Sequence, residues 1–299
     1  MSTPEERLVP GEHPVPAVPR SEAAAARRER LRVLVRSKTF GAGTVLVGIW
    51  VFCALFGYLV APHDPLADDI LGKLRSPSGA HLFGTDKLGR DVFSRVIVGA
   101  RDILIVAPLA TLLGTVLGTA LGLVTGYFRG VVDDVLSRII DAFLALPVVI
   151  IGLLALVALG PSRVTVIAVI GIVFAPIIAR TVRAAVLSER ELDYVAAARL
   201  RNERAPYVMF GEILPNVFAP VLVEFTVRLG YAIFAIATLS FLGFGIQPPA
   251  PDWGLQIFEH YGLIGGGIWW PTLFPALAIA TLVIGINLIS DGLAQVFSR

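Results

Sequence analysis

One cysteine in 299 residues, Cys53, leaves the chain with neither an intramolecular disulfide nor a cysteine-ligated metal site. Cys53 falls inside an apolar run, where a small apolar filler is its ordinary role. Histidine is nearly as scarce: His13, His63, His81 and His260 are spread so far along the chain that no ligand spacing emerges, and no metal is expected. Lysine occurs only at Lys38, Lys73 and Lys87, none of which closes a G-x-x-x-x-G-K-[ST] loop, so the chain has no phosphate cradle of that kind for ATP. H-E-x-x-H and G-x-S-x-G are absent too, which removes the helical metalloprotease and the nucleophile-elbow hydrolase. Neither enzymatic activity nor a cofactor is expected of this chain. Its net charge of +2 gives no reason to expect a nucleic-acid partner.

The largest deficit is of charge itself. Only 16% of residues are charged and 56% are apolar, with a mean hydropathy of +0.77, far from soluble-protein composition. The uncharged runs are long: 41–61, 103–128, 142–161, 164–179, 229–250 and 268–290. At ~1.5 Å per helical residue, ~20 residues cross the ~30 Å hydrocarbon layer. The expectation is an all-α integral membrane protein with six transmembrane helices in contact with lipid.

Basic residues orient it. Lys and Arg number eight in residues 1–40 and six in 180–204, against none in 245–271. Positive residues favour the cytoplasmic side, and the span count between these segments agrees, so both termini and the 180–215 insert are expected in the cytoplasm. Loop 62–100 holds five basic residues offset by five aspartates, and parity places it outside. Residues 1–40 read as a cytoplasmic tail, disordered to about Ala23, polar and rich in Pro, Ala and Arg. With no clear small-residue cleavage site, the first apolar run reads as a retained anchor.

Several segments carry finer signals. From Asp91, Val92, Val96, Gly99, Ala100 and Ile103 recur at helical spacing, which predicts a helix in the 62–102 outer loop that runs into span two, either lying at the interface or an ordinary solvated surface helix. Gly114, Gly118, Gly122 and Gly126 share one face of that span and argue for close helix packing, within the chain or across a dimer. Thr111, Thr115 and Thr119 form a parallel stripe able to add interhelical hydrogen bonds. Glu224 and Arg228, at i and i+4, can meet on one face; they are a translocation-path lining, a structural ion pair, or a pair hydrated close to the cytoplasmic surface. Trp253, Trp269 and Trp270 fall where an aromatic belt belongs.

Between spans four and five lies the charged insert DYVAAARLRNERAPYVMFGEILPN, residues 193–216. Asp193 and Ala196–Ala198 favour a smooth-faced helix, Asn202 can end it in left-handed geometry, and Pro206 and Pro215 bracket a second short helix. An ordinary cytoplasmic hairpin would have the same pattern. D-Y-V-x-A-A-R followed by I-L-P-N nevertheless resembles the "EAA" loop of permease subunits of binding-protein-dependent ABC importers. The likeness extends to FGTDKLGRDVFSRVIVGAR at 83–101, LSFLGFGIQPPAPDWG at 239–254 and Asp291-Gly292. These segments are similar to the dipeptide/oligopeptide/nickel branch.

The resemblance implies a type I ABC importer permease fold, with a permease core over 103–295 and a cytoplasmic coupling loop at 187–215. Asp193, Ala197, Ala198, Arg199, Asn202, Leu214 and Pro215 would form the coupling segment, pressed against a separate ATPase subunit that carries ATP and Mg. The other implied partners are a second homologous permease, a second ATPase and an extracytoplasmic solute-binding protein, at the bacterial inner membrane. Asn202 stands where the family usually has glycine, Asp193 where it usually has glutamate, and Ile236 where an acidic residue is common. The alternative is an ion-coupled secondary transporter or channel using Glu224 and Arg228.

Overall fold

The computed structural model describes residues 37–297, and only helices and loops occur among them apart from one isolated bridge between Thr85 and Asp91. Of the expected tail 1–40, residues 1–36 lie outside the described residues, and Lys38–Phe40 already belong to α1. Five helices are long and apolar enough to cross a membrane: α1 (Lys38–Val60), α2 (Val92–Phe128), α5 (Arg163–Glu189), α7 (Ala205–Phe241) and α9 (Trp270–Phe297). A sixth crossing is a bent pair, α3 (Val131–Leu144) and α4 (Val148–Leu159), which meet at 85°. Two short helices lie between spans, α6 (Asp193–Leu200) and α8 (Trp253–His260).

The six-span expectation holds, with three changes of boundary. Span three is broken at Ala145–Pro147, because proline cannot continue a helix and restricts the residue before it. Its first half carries Asp133, Asp134, Arg138 and Asp141 and was outside the expected apolar run. Span five begins well before Leu229: α7 passes through a wide π turn at Val208–Ile213 and continues without a stop. Pro215 sits just beyond that turn, where the altered pairing accommodates a residue lacking an N–H, so it does not end the helix as expected. The expected interfacial helix is the first part of α2 and is buried: Val92, Val96, Ala100, Ile103 and even Arg95 are at most 3% exposed.

The glycine ladder packs within the chain. A Cβ on Gly114 would lie 2.9 Å from Gly171 O, one on Gly118 2.7 Å from Ala175 O, and one on Gly122 2.8 Å from Ala179 O, all on α5. Two backbones therefore touch along about three turns, as small residues permit in lipid. The threonine stripe does not bridge helices. Thr111 and Thr115 donate to Ala107 O and Thr111 O in their own helix, each at 2.8 Å, and Thr119 Oγ has no hydrogen-bond partner among the described residues. Helix α1 packs on α9 at Gly43, which faces Gly285 O, and Trp50 donates to Thr281 Oγ1 at 3.1 Å.

Loops 62–91 and 242–269 share one end of the bundle, where Trp253 Nε1 donates to Val96 O on α2 at 2.8 Å and Trp270 Nε1, at the head of α9, to Thr85 O at 3.0 Å. These two tryptophans are buried at 2% and 7% exposure, so they pin loops instead of forming a lipid belt; only Trp269 is exposed. Gly89, at φ +81°, must be glycine because a Cβ would overlap Asp69 O. Helix α6 lies at the opposite end, shared with the start of α1, since Phe40 packs against Gly292 near the end of α9.

Candidate functional site

Helix α6 starts after Leu192, with Asp193 in its first turn complementing the helix dipole. It closes at Asn202, whose φ of +56° is the left-handed geometry expected of it. There Glu203 N–H reaches Ala198 O at 3.2 Å and Asn202 N–H reaches Arg199 O at 2.9 Å, the paired bonds of a Schellman cap. Asparagine therefore serves where glycine would.

The helix divides by face. Val195 and Ala198 are fully buried against the chain's own bundle, while Ala196, Ala197, Arg199 and Leu200 are exposed, Leu200 at 84%. Ala198, at 0% exposure, packs its methyl against the bundle and holds α6 down. Arg199 lies over the Tyr127 ring at 5.1 Å, so its stem runs back toward the end of α2. Leu214 is half-buried and Pro215 exposed, both on continuous helix rather than in a loop.

Polar clamps fix α6 to the long helices. Tyr194 OH donates to Glu189 Oε2 at 2.7 Å, and burial together with that carboxylate pushes the phenol pKa up to about 12. Arg190 Nη1 donates to Tyr127 O at 2.7 Å, and Arg129 pairs with Glu191 at 2.7 Å. On the neighbouring turn, Arg183 holds Asp133 through two bonds of 2.7 and 2.6 Å, joining α5 to the bent span. Through Tyr194 and Arg199, α6 is tied directly to the end of α5 and the end of α2.

Glu224 and Arg228 meet on α7 as their spacing predicts, with Nε to Oε1 at 2.6 Å. Glu224 is 8% exposed and Arg228 also lies 5.3 Å over the Tyr231 ring. A cavity of about 450 Å³ between α7 and α9 is lined by Val227, Tyr231, Phe234, Val283, Asn287 and Asp291, and neither member of the ion pair lines it.

The far end carries groups that sequence spacing did not bring together. Asp86, Arg90 and Glu259 form a chain of 2.7 and 3.2 Å contacts between loop 62–91 and α8, with buried Arg95 bonded to Pro65 O at 3.1 Å. Beside it, a cavity of about 570 Å³ is lined by Tyr58, Arg101, Asp102, Arg163, Gln247 and Pro251, with Arg163 paired to Asp102 at 2.7 Å. His63, His81 and Asp91 also converge, with ligand atoms within 4.8 Å of one another, which corrects the expectation of no metal-type cluster.

Six membrane crossings, a short helix exposed on one face at one end and loops knitted together at the other define a polytopic membrane protein. The family model for the binding-protein-dependent transport system inner membrane component matches residues 118–299, and the chain belongs to that family. It is 35% identical over 293 residues to the dipeptide transport system permease protein DppC of Alkalihalophilus pseudofirmus, covering 98% of this chain and 94% of the relative. It is 42% identical over 265 residues to the protein of that name in Escherichia coli, covering 86% and 88%. A putative peptide transport system permease of Brucella suis is 38% identical over 271 residues, covering 89% of each chain. The chain is therefore a multi-pass bacterial inner-membrane permease subunit of the type I ABC importer class, a class that works with ATPase and solute-binding partners. Family membership displaces the ion-coupled alternative.

Proposed function

We propose that this permease forms half of a translocation path for peptides, paired with a second homologous permease, two ATPase subunits and an extracytoplasmic binding protein. The relatives' names supply the cargo class, and the face division of α6 supplies the coupling mechanism. On this reading the α6 end and both termini lie in the cytoplasm, as the basic residues there favour. The ATPase grips the exposed small-residue face at Ala196 and Ala197 and the tip at Leu200. ATP and Mg stay on that partner, and the permease itself catalyses nothing.

The observation that carries this reading is that α6 is exposed on one face and held on the other, by buried Val195 and Ala198, the Tyr194–Glu189 bond and Arg199 over the Tyr127 ring. Closure of the ATPase then rocks the paired bundles between inward-open and outward-open states. Ala197→Trp should abolish uptake of labelled dipeptide while the chain still folds and inserts. Uptake at the parental rate, with ATPase subunits still co-purifying, overturns the coupling assignment. A cysteine placed at Arg201 should be labelled by an impermeant reagent only from the cytoplasmic side.

A further inference from the structure

Three side chains from separate segments of the outer loop meet around one point. His63 follows α1, His81 lies in the middle of the loop, and Asp91 caps the N-terminus of α2. His81 Nδ1 is 2.9 Å from Asp91 Oδ1, and His63 Nδ1 is 3.8 Å from Asp91 Oδ2. The two imidazoles lie 4.7 Å apart between ring centres, at 33°. We propose that His63, His81 and Asp91 form a binding site for a single borderline divalent cation of the zinc, nickel or copper(II) type.

The spacing suits such an ion. Metal–nitrogen and metal–oxygen bonds of ~2.0–2.2 Å in tetrahedral arrangement put ligand atoms ~3.3–3.5 Å apart. The observed 2.9 and 3.8 Å, measured to different oxygens of Asp91, fall on either side of that value, and with all three ligand atoms within 4.8 Å of one another the side chains must draw together around the ion. The proton on His81 Nδ1 in its hydrogen bond to Asp91 moves to Nε2, which leaves the Nδ1 lone pair for the metal. Two imidazoles and one carboxylate favour zinc, nickel or copper over calcium or magnesium, which take oxygen ligands.

The ligands are also held from behind. Ser94 donates to Asp91 Oδ2 through both N–H and Oγ, at 2.8 and 2.7 Å, and its Oγ accepts from His63 N–H at 3.2 Å. The His81 backbone is fixed by Gly84 N–H and Ser78 N–H to its carbonyl, at 2.9 and 2.8 Å. Such outer partners orient ligands in metal centres. The side chain of His63 is 42% exposed and that of Asp91 1%, so an ion enters from solvent and retains a position for water. Bound there, it staples the end of α1 and the loop to the head of α2.

The test uses the full chain purified without a polyhistidine tag and stripped with chelator. Zinc titration by calorimetry should give one site per chain. Loss of a hydrogen-bond partner behind a ligand alone costs ~10–100-fold in affinity, so His63→Ala and His81→Ala should each weaken binding at least about tenfold. Copper(II) resonance spectra should show coupling to two imidazole nitrogens in the parent and one in either variant. Unfolding in excess chelator should be unchanged in His63→Ala, which separates ligand loss from misfolding. Unchanged zinc binding or copper coupling in the double variant, or no saturable zinc site in the parent, overturns the proposal. Neither readout involves uptake or ATPase, so it stands or falls separately from the coupling assignment.

Discussion

Replacing Gly118 by alanine is a direct measure of how closely α2 and α5 approach. The added Cβ would stand 2.7 Å from Ala175 O and 2.7 Å from Ile178 Cβ, whereas ordinary contact begins near 3.4 Å. Neither neighbour can swing away, because one is backbone and the other is the root of a side chain. The helices must separate by roughly 0.7 Å, and that also loosens Gly114, Gly122 and Gly126, whose own approaches are 2.9, 2.7 and 2.6 Å. Overpacking of this kind costs ~1–3 kcal/mol. Alanine's helix preference over glycine returns ~1 kcal/mol, leaving a net loss of ~0–2 kcal/mol, and a deficit of ~1–3 kcal/mol relative to an alanine at an uncrowded helical glycine. Denaturant unfolding of the detergent-solubilised chain reads this directly. Two controls calibrate it: Gly48, which has nothing within 4 Å, and Gly152, whose nearest neighbour is 3.5 Å away, should tolerate alanine without loss. Adding Gly122→Ala to Gly118→Ala should cost less than the two singles summed, since the first has already parted the helices. Equal stability of Gly118→Ala and Gly48→Ala would refute the backbone contact.

Asp252 caps α8, accepting from Leu255 N–H at 2.8 Å, and burial raises its pKa from 3.8 to about 6. The unfolded chain ionises it near pH 4 while the folded chain holds the proton until about 6. Stability should therefore fall as pH rises through that window, by roughly 3 kcal/mol for a difference of about two pH units. Asp252→Asn keeps a capping oxygen and should flatten that slope in unfolding midpoints taken from pH 4 to 7; a slope of the opposite sign sinks the argument. For Glu224 and Arg228, removing one partner strands a charge in a largely buried site, at a cost of ~3 kcal/mol in Glu224→Leu. The double variant Glu224→Leu, Arg228→Met should regain most of that in the same unfolding assay, and equal instability of single and double variants would contradict an ion pair that matters through its partner.

Legibility in the sequence followed the range of the interaction involved. Spans are local averages of hydropathy over ~20 residues, and six crossings were readable for that reason. The glycine ladder and the Glu224–Arg228 pair were readable because helical periodicity places residues four apart on one face. Asn202 announced its left-handed turn through an intrinsic tolerance. The π turn before Pro215 was hidden because proline's effect depends on how the preceding turn pairs, and composition does not encode that pairing. The break at Pro147 had a local signal, a proline preceded by an acidic stretch, that the apolar average masked.

The outer end shows where reading along the chain stops. Trp253, Trp270 and Arg95 are buried by contacts between segments more than 150 residues apart, such as Trp253 to Val96 and Trp270 to Thr85. His63, His81 and Asp91 span 28 residues with no ligand spacing, and they meet only because Ser94 and the turn at Gly84 fold the loop back on the head of α2. Ala198 and Ala197 are chemically identical neighbours, and packing alone assigns one to the bundle and leaves the other exposed. Composition and periodicity thus determined that the chain is a six-span helical membrane protein without a nucleotide loop, because those properties are carried by neighbouring residues. Which face of the α6 helix is free, which loop residues converge and which tryptophans are buried were decided by tertiary contacts, because each depends on the position of chain far removed in sequence.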